Sequence, residues 1–156
     1  MIKLTRIDDR LVHGQVAMTW TPALGADCLI VANDKVAQDE FMKMTLGLAK
    51  PALAKLFIKS LADTVTFLND PRSQSLKILV LVNSVKDAAA LASEVSEIQS
   101  VNFGGIRTKE GTRSIAKAIA VTEDDIAIIK EMLAKGLELE VRQVPTDKKI
   151  MIDTLI

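Results

Sequence analysis

His13 is the only histidine in the 156 residues, and it stands three residues after Arg10 and five after Asp8. Neutral imidazole is nucleophilic near pH 7. Its attack on a phosphoryl group gives a phosphoramidate, and such chemistry asks a protein mainly for positioning and charge neutralisation. A guanidinium placed like that of Arg10 can make a two-pronged contact with phosphoryl oxygens. Asp8 and Asp9 leave their roles open. Either could orient the imidazole by accepting from its other nitrogen, or hold Arg10. A carboxylate beside a phosphoryl group repels it, so at least one should turn away into a pairing with Arg6 or Arg10.

The elements that must position these groups are readable around them. Ile2 to Thr5 alternates as a short strand, and Val16, Ala17 and Trp20 follow at helical spacing. His13 therefore falls in a strand-to-helix turn, where unpaired N–H groups and the positive end of a helix dipole suit an anion. The N–H groups of Gly14 and Gln15 are the phosphate-binding candidates, and Gly14 also lets a phosphate or a partner's backbone come close. Thr21-Pro22 and Gly25 are expected to break this first helix.

Downstream, the pattern alternates strand and helix. Cys28 to Ala32 and Ile78 to Val82 are continuous apolar runs, as in strands covered on both faces. Lys55 to Ile58 is a weaker third strand. Asn33-Asp34 is placed to cap a helix carrying Ala37, Phe41, Met44 and Leu48. Ser60 with Asp63, Ser84 with Asp87 and Thr122 with Asp125 open three more helices. Ile98 to Phe103 is a fifth strand running into Gly104-Gly105, Arg107 to Arg113 is a turn or hairpin loop, and Ile115 to Val121 is a sixth strand. Gly136 should end the last helix in the left-handed conformation. In Leu137 to Val141 the alternation with Glu138, Glu140 and Arg142 predicts a seventh strand with one wet face. Ile150 to Ile156 is an apolar tail of helical character, which packs back or supports a homodimer.

The expectation is one α/β domain over 1–156: a doubly wound, mostly parallel but mixed sheet of about seven strands with helices on both faces. Ligands of such sheets sit beyond the carboxyl ends of the strands at a switch point. The turns after the first, second and fifth strands are then the site candidates, holding Asp8 to Gln15, Asn33-Asp34 and Asn102 to Arg107, with Asn33, Asp34, Gly104, Gly105 and Arg107 as rim residues of the His13 turn.

Composition excludes several classes. Lys plus Arg equals Asp plus Glu at 20 each, which argues against binding nucleic acid by bulk charge. Four Phe, one Trp and no Tyr supply few stacking platforms. One Cys and one His cannot build a structural zinc site, and Cys28 lies in an apolar run as a buried thiol would. No phosphate-loop or dinucleotide glycine motif is present, so no metal, nucleotide or other cofactor is expected. No signal peptide and no apolar run of about 20 residues is seen, so the expected location is cytoplasmic.

Spacing alone favours a plain reading of His13 as a cap or a satisfied polar residue, of Arg10 as a solvated side chain, and of Gly104-Gly105 as a simple turn. The whole run Arg6-Ile7-Asp8-Asp9-Arg10-Leu11-Val12-His13-Gly14-Gln15-Val16 changes that weighting. It resembles the active-site signature of the IIB subunits of the mannose-type bacterial sugar phosphotransferase system, whose branches handle mannose, fructose, sorbose and N-acetylgalactosamine. Val31 to Ala37 resembles the segment after that family's second strand, Val101 to Ile106 its glycine turn, and Gln143 to Pro145 the close of its last strand. The first motif is highly specific, and together the four span one complete IIB domain.

The resemblance implies that His13 is phosphorylated on Nδ1 by a phosphohistidine of a separate IIA domain and passes the group to a sugar held by membrane subunits IIC and IID. It implies that Arg10 is the arginine and Asp8 the acidic residue of the active-site loop. Arg107 departs from the pattern, since several members carry a histidine near this place. A shuttle visited by two partners predicts a substantially exposed His13 on a shallow surface, with modest, partly charged interfaces around Arg10. The rivals are a non-catalytic interaction module on the same fold, and a small-molecule enzyme with an enclosed pocket between the His13 and Gly104 turns.

Overall fold

The computed structural model describes residues 1–14 and 16–156. Its centre is a seven-stranded sheet in the order β3-β2-β4-β1-β5-β8-β9. The strands are β1 (Ile2–Asp8), β2 (Cys28–Ala32), β3 (Lys55–Lys59), β4 (Ile78–Val82), β5 (Ser100–Gly105), β8 (Glu138–Val141) and β9 (Ile150–Met151). All pair in parallel except β9, which runs antiparallel to β8. The fully apolar β2 and β4 lie side by side and are buried throughout, as strands covered on both faces must be.

Helix α1 (Thr21–Leu24) and helix α2 (Glu40–Ala49) cover one face, where Leu4, Val16, Trp20, Leu29, Leu46 and Leu81 pack together. Helices α3 (Leu61–Asn69), α4 (Val85–Glu94) and α5 (Glu123–Ala134) cover the other, over Ile7, Ile30, Val80 and Phe103. The chain leaves β1 for a helix on the first face, and leaves the neighbouring β4 for a helix on the second. The carboxyl end of β1 is thus a switch point of the doubly wound sheet.

The helix starts follow the polar signals. Ser60, Ser84 and Thr122 each accept from the N–H three residues on, and Thr122 with Asp125 completes a reciprocal capping box. Gly136, at φ +88°, ends α5 as expected.

Five details differ from the sequence pattern. Residues 113–121 form a separate hairpin, β6 (Arg113–Ala116) with β7 (Ile119–Val121), outside the main sheet. The apolar tail supplies the seventh sheet strand, β9, before a short 3-10 turn. Asp39, not Asn33-Asp34, caps α2, and Asn33 instead closes a 3-10 turn by accepting from Val36 N at 2.9 Å. Phe41, Met44 and Leu48 of α2 point outward, while Leu46 is its buried residue. Thr21-Pro22 does not stop the first helix. A π-helical turn over Val16–Trp20 leads straight into α1, with the Thr21 hydroxyl donating to Val16 O at 3.0 Å. Pro22, with no N–H to offer, sits in the first turn of α1, where a helix tolerates it.

Candidate functional site

Beyond β1 the chain must return sharply to bring residue 13 back over residue 8. Leu11 makes the return possible. It adopts the left-handed conformation at φ +58° and donates its N–H to Asp8 O at 2.9 Å. Such a conformation costs a branched residue about 1–2 kcal/mol. Burial of the Leu11 and Val12 side chains against Val16, Trp20 and Leu81 offsets it, because both are nearly inaccessible. His13 O then accepts from Ala17 N and starts the helical turn.

The result is a histidine held by a buried carboxylate. His13 Nε2 lies 2.9 Å from Asp8 Oδ2, and the Asp8 side chain has no solvent exposure. Arg6 Nη2 donates to the same oxygen at 3.1 Å, and Arg10 N donates to Oδ1 at 3.1 Å. Burial pushes the Asp8 carboxyl up. The hydrogen bonds from His13 and the Arg10 backbone, with the charges of His13 and Arg6, outweigh it and hold the group below the ordinary carboxylate range. Asp8 stays ionised, and a ring donating from Nε2 carries its lone pair on Nδ1.

Arg10 stands beside this pair with its side chain half exposed. Its Nε reaches Asp8 Oδ1 only at 3.4 Å, too long to fix it firmly. Arg6 is its opposite. It is 1% exposed, donates to Asn102 Oδ1 at 2.8 Å and to the carbonyls of Arg142 and Gln143, and lies over the Trp20 ring at 4.9 Å. Its burial lowers its pKa against the opposing pull of Asp8, yet it keeps its proton. Of the open roles, Asp8 takes both the imidazole and Arg6. Asp9 turns away, but to Arg107, whose N and Nε donate to its Oδ2 at 2.9 and 3.1 Å.

The glycine turn serves this arrangement directly. A Cβ on Gly104 would overlap the Arg6 guanidinium, and one on Gly105 would touch Asp8 Oδ1 at 3.4 Å. The Arg6 guanidinium therefore fills the space beside Gly104. Gly105, Arg107 and Arg10 border a shallow depression of about 350 Å³ that continues to Lys117 and Gln143. Asn33 and Asp34 end β2, which β4 separates from β1, and their side chains accept from Val36 N and Leu61 N. They lie at the same edge of the sheet but outside the cluster around His13. Gly14 is exposed with open space around it, and Gln15 lies outside the described residues.

His13 is less exposed than expected, at 16% of its side chain, because its Nε2 edge faces inward to Asp8. Residues that the sequence pattern overlooked lie behind it. Glu140 of β8, assigned to a wet face, is 2% exposed and accepts from Asn102 Nδ2 at 3.1 Å and Arg142 Nη2 at 2.9 Å. The usable signal was the phase of the strands, since Arg6, Asn102 and Glu140 are direct register partners across β1, β5 and β8.

Comparison with known proteins places the chain in a family. The family profile described as "PTS system sorbose subfamily IIB component" matches residues 2–156. A probable phosphotransferase enzyme IIB component of Streptococcus pyogenes serotype M6 is 39% identical over 163 residues, which cover 100% of this chain and 99% of that protein. The mannose-specific EIIAB component of Escherichia coli is 36% identical over 156 residues; this chain spans only 48% of its length. The crystal structure of the IIBSor domain of the sorbose permease from Klebsiella pneumoniae superimposes with a TM-score of 0.92 at 31% identity, covering 97% of this chain and 93% of that one. Profile, identity over the full length and fold agree: the chain belongs to the IIB components of the mannose-type sugar phosphotransferase system, in the sorbose subfamily.

Proposed function

We propose that His13 is the residue that carries the phosphoryl group. Its Nδ1 lone pair attacks the phosphorus of a phosphohistidine on a IIA domain; the donor's P–N bond breaks and a new one forms on His13. In the second step a sugar hydroxyl, presented by membrane subunits IIC and IID, attacks the same phosphorus; the P–N bond to His13 breaks, the imidazole leaves with its Nδ1 lone pair restored, and the hydroxyl proton passes to water. The observation that carries this reading is the 2.9 Å contact between His13 Nε2 and the buried Asp8. A ring that holds a proton on Nε2 and a phosphoryl group on Nδ1 is an imidazolium, and a fixed carboxylate neutralises it without reorganising. The E. coli relative, an EIIAB component about twice as long, supports a IIA domain as donor. No helix among the described residues is long and apolar enough to cross a membrane. The proposal therefore assigns the membrane step to IIC and IID and places this chain at the cytoplasmic side.

The test is incubation with phosphorylated IIA, followed by mapping of an acid-labile phosphate. Label on the peptide containing His13, and none on His13→Ala, is the expected outcome. Equal labelling of His13→Ala removes the proposal. Arg10 has the reach and freedom to meet the incoming phosphoryl oxygens. Arg10→Ala is expected to leave stability within about 1 kcal/mol, since exposed pairs contribute little, and to slow transfer about tenfold or more. Unchanged transfer kinetics would deny Arg10 that role.

A further inference from the structure

The polar row behind Asp8 is longer than holding a carboxylate requires. Arg6 divides its guanidinium: Nη2 goes to Asp8 and the Gln143 carbonyl, while Nη1 goes to Asn102 and the Arg142 carbonyl. Asn102 can sit only one way round. Its oxygen faces the guanidinium and its nitrogen faces Glu140, so a flipped amide would set donor against donor and acceptor against acceptor. Glu140 is gripped in turn by Arg142, through Nε at 3.0 Å and Nη2 at 2.9 Å. Arg6, Asp8, Asn102 and Glu140 are each at most 2% exposed. Apolar residues would join these three strands at lower desolvation cost.

We propose that Asn102 and Glu140 are positioning residues for phosphoryl transfer, acting on His13 through Arg6 and Asp8. The inference rests on the reading of His13 as the phosphorylated group. Asn102 occupies one arm of Arg6, so that only the other arm reaches Asp8 and Oδ2 keeps a lone pair for His13 Nε2. With that arm released, the guanidinium would fork across both carboxylate oxygens and compete with the imidazole. Glu140 fixes the Asn102 amide and balances the second guanidinium, Arg142. The charged groups around Asp8 are then Arg6 on its own strand, Arg10 and His13 on the following loop, Glu140 on β8 and Arg142 just beyond its end. Asp9 is turned to Arg107.

The sole histidine makes the test direct, because one imidazole gives one set of ring signals in NMR. In the full chain, Glu140→Gln removes a negative charge and is expected to move the His13 titration midpoint down; Arg142→Gln should move it up. Opposite directions distinguish an electrostatic chain from general loosening. With phosphorylated IIA as donor, Glu140→Gln should lose about tenfold in kcat with KM nearly unchanged, as outer-shell partners typically do. Glu140→Asp, which keeps the charge, should restore most of both readouts, and Glu138→Gln on the same strand should change neither. If Glu140→Gln does not fold, Arg142→Gln and Glu140→Asp decide the matter by the same readouts. Folded variants that keep the wild-type midpoint, or that move it in one direction, overturn the proposal. The titration involves no phosphoryl transfer, so it judges this chain of contacts separately from the labelling of His13.

Discussion

Asp8→Asn is expected to slow phosphoryl transfer to His13 by about a hundredfold or more and to cost about 3–5 kcal/mol of stability. The substitution is close in shape, and its effect comes from donor arithmetic. Asp8 Oδ2 receives Arg6 Nη2 and His13 Nε2, while Oδ1 receives Arg10 N and the longer contact from Arg10 Nε. Every neighbour is a donor, so an amide NH2 has nowhere to go. Facing Arg10, it opposes the backbone N–H that shapes the loop. Facing His13, it forces the ring to accept at Nε2, which moves the proton to Nδ1 and removes the lone pair that attacks. In either orientation Arg6 loses its buried counter-charge.

The pH dependence separates the two effects. The folded Asp8 carboxyl lies below its ordinary value near 4. Its contribution to stability is therefore complete above about pH 4 and is lost as the pH falls through the lower folded value. Asp8→Asn has no such titration, so its deficit against wild type should shrink as the pH falls below about 4. Urea unfolding across that range, with single-turnover labelling at pH 7, measures both quantities. A variant within 1 kcal/mol of wild type that transfers at the native rate would show that Asp8 neither anchors Arg6 nor orients His13.

Much of this site could be read from residue order, and the exceptions have physical causes. Apolar runs located β2 and β4 because strands buried on both faces tolerate nothing else. Ser60, Ser84 and Thr122 marked helix starts because capping is a contact between near neighbours. The pairing of Asp8 with His13 is one of the roles that spacing leaves open, since five residues can turn back on themselves. Glu140 departs from the strand pattern because its partners lie far away in sequence: Asn102 is 38 residues off, and the exposure that its charge implies is cancelled by Arg142, whose guanidinium lies over the Trp20 ring. The hairpin β6–β7 departs from the pattern for a related reason, since periodicity shows that a strand exists but not which sheet it joins. On α2 the apolar residues at helical spacing face outward, so spacing gave the helix and not its buried side.

Gly104→Ala is expected to be the most damaging single methyl in the protein, costing about 3–5 kcal/mol. The backbone is not the reason, because Gly104 is not among the residues with positive φ. The added carbon would occupy the place of the Arg6 guanidinium. Displacing a side chain's far end is cheap when that end is free, but this one is stacked over Trp20 and donates to Asp8, Asn102 and two carbonyls. Arg6 would have to abandon that set, leaving Asp8 and Asn102 buried without it. Gly105→Ala is the natural comparison. Its Cβ meets Asp8 Oδ1 at 3.4 Å, the edge of ordinary contact, and should cost less than about 1 kcal/mol. A double-mutant cycle isolates the cause: once Arg6→Leu has removed the guanidinium, Gly104→Ala should add far less than it does alone. Equal costs for Gly104→Ala in both backgrounds, measured by denaturant unfolding, would mean that the glycine serves the strand and not the arginine behind His13.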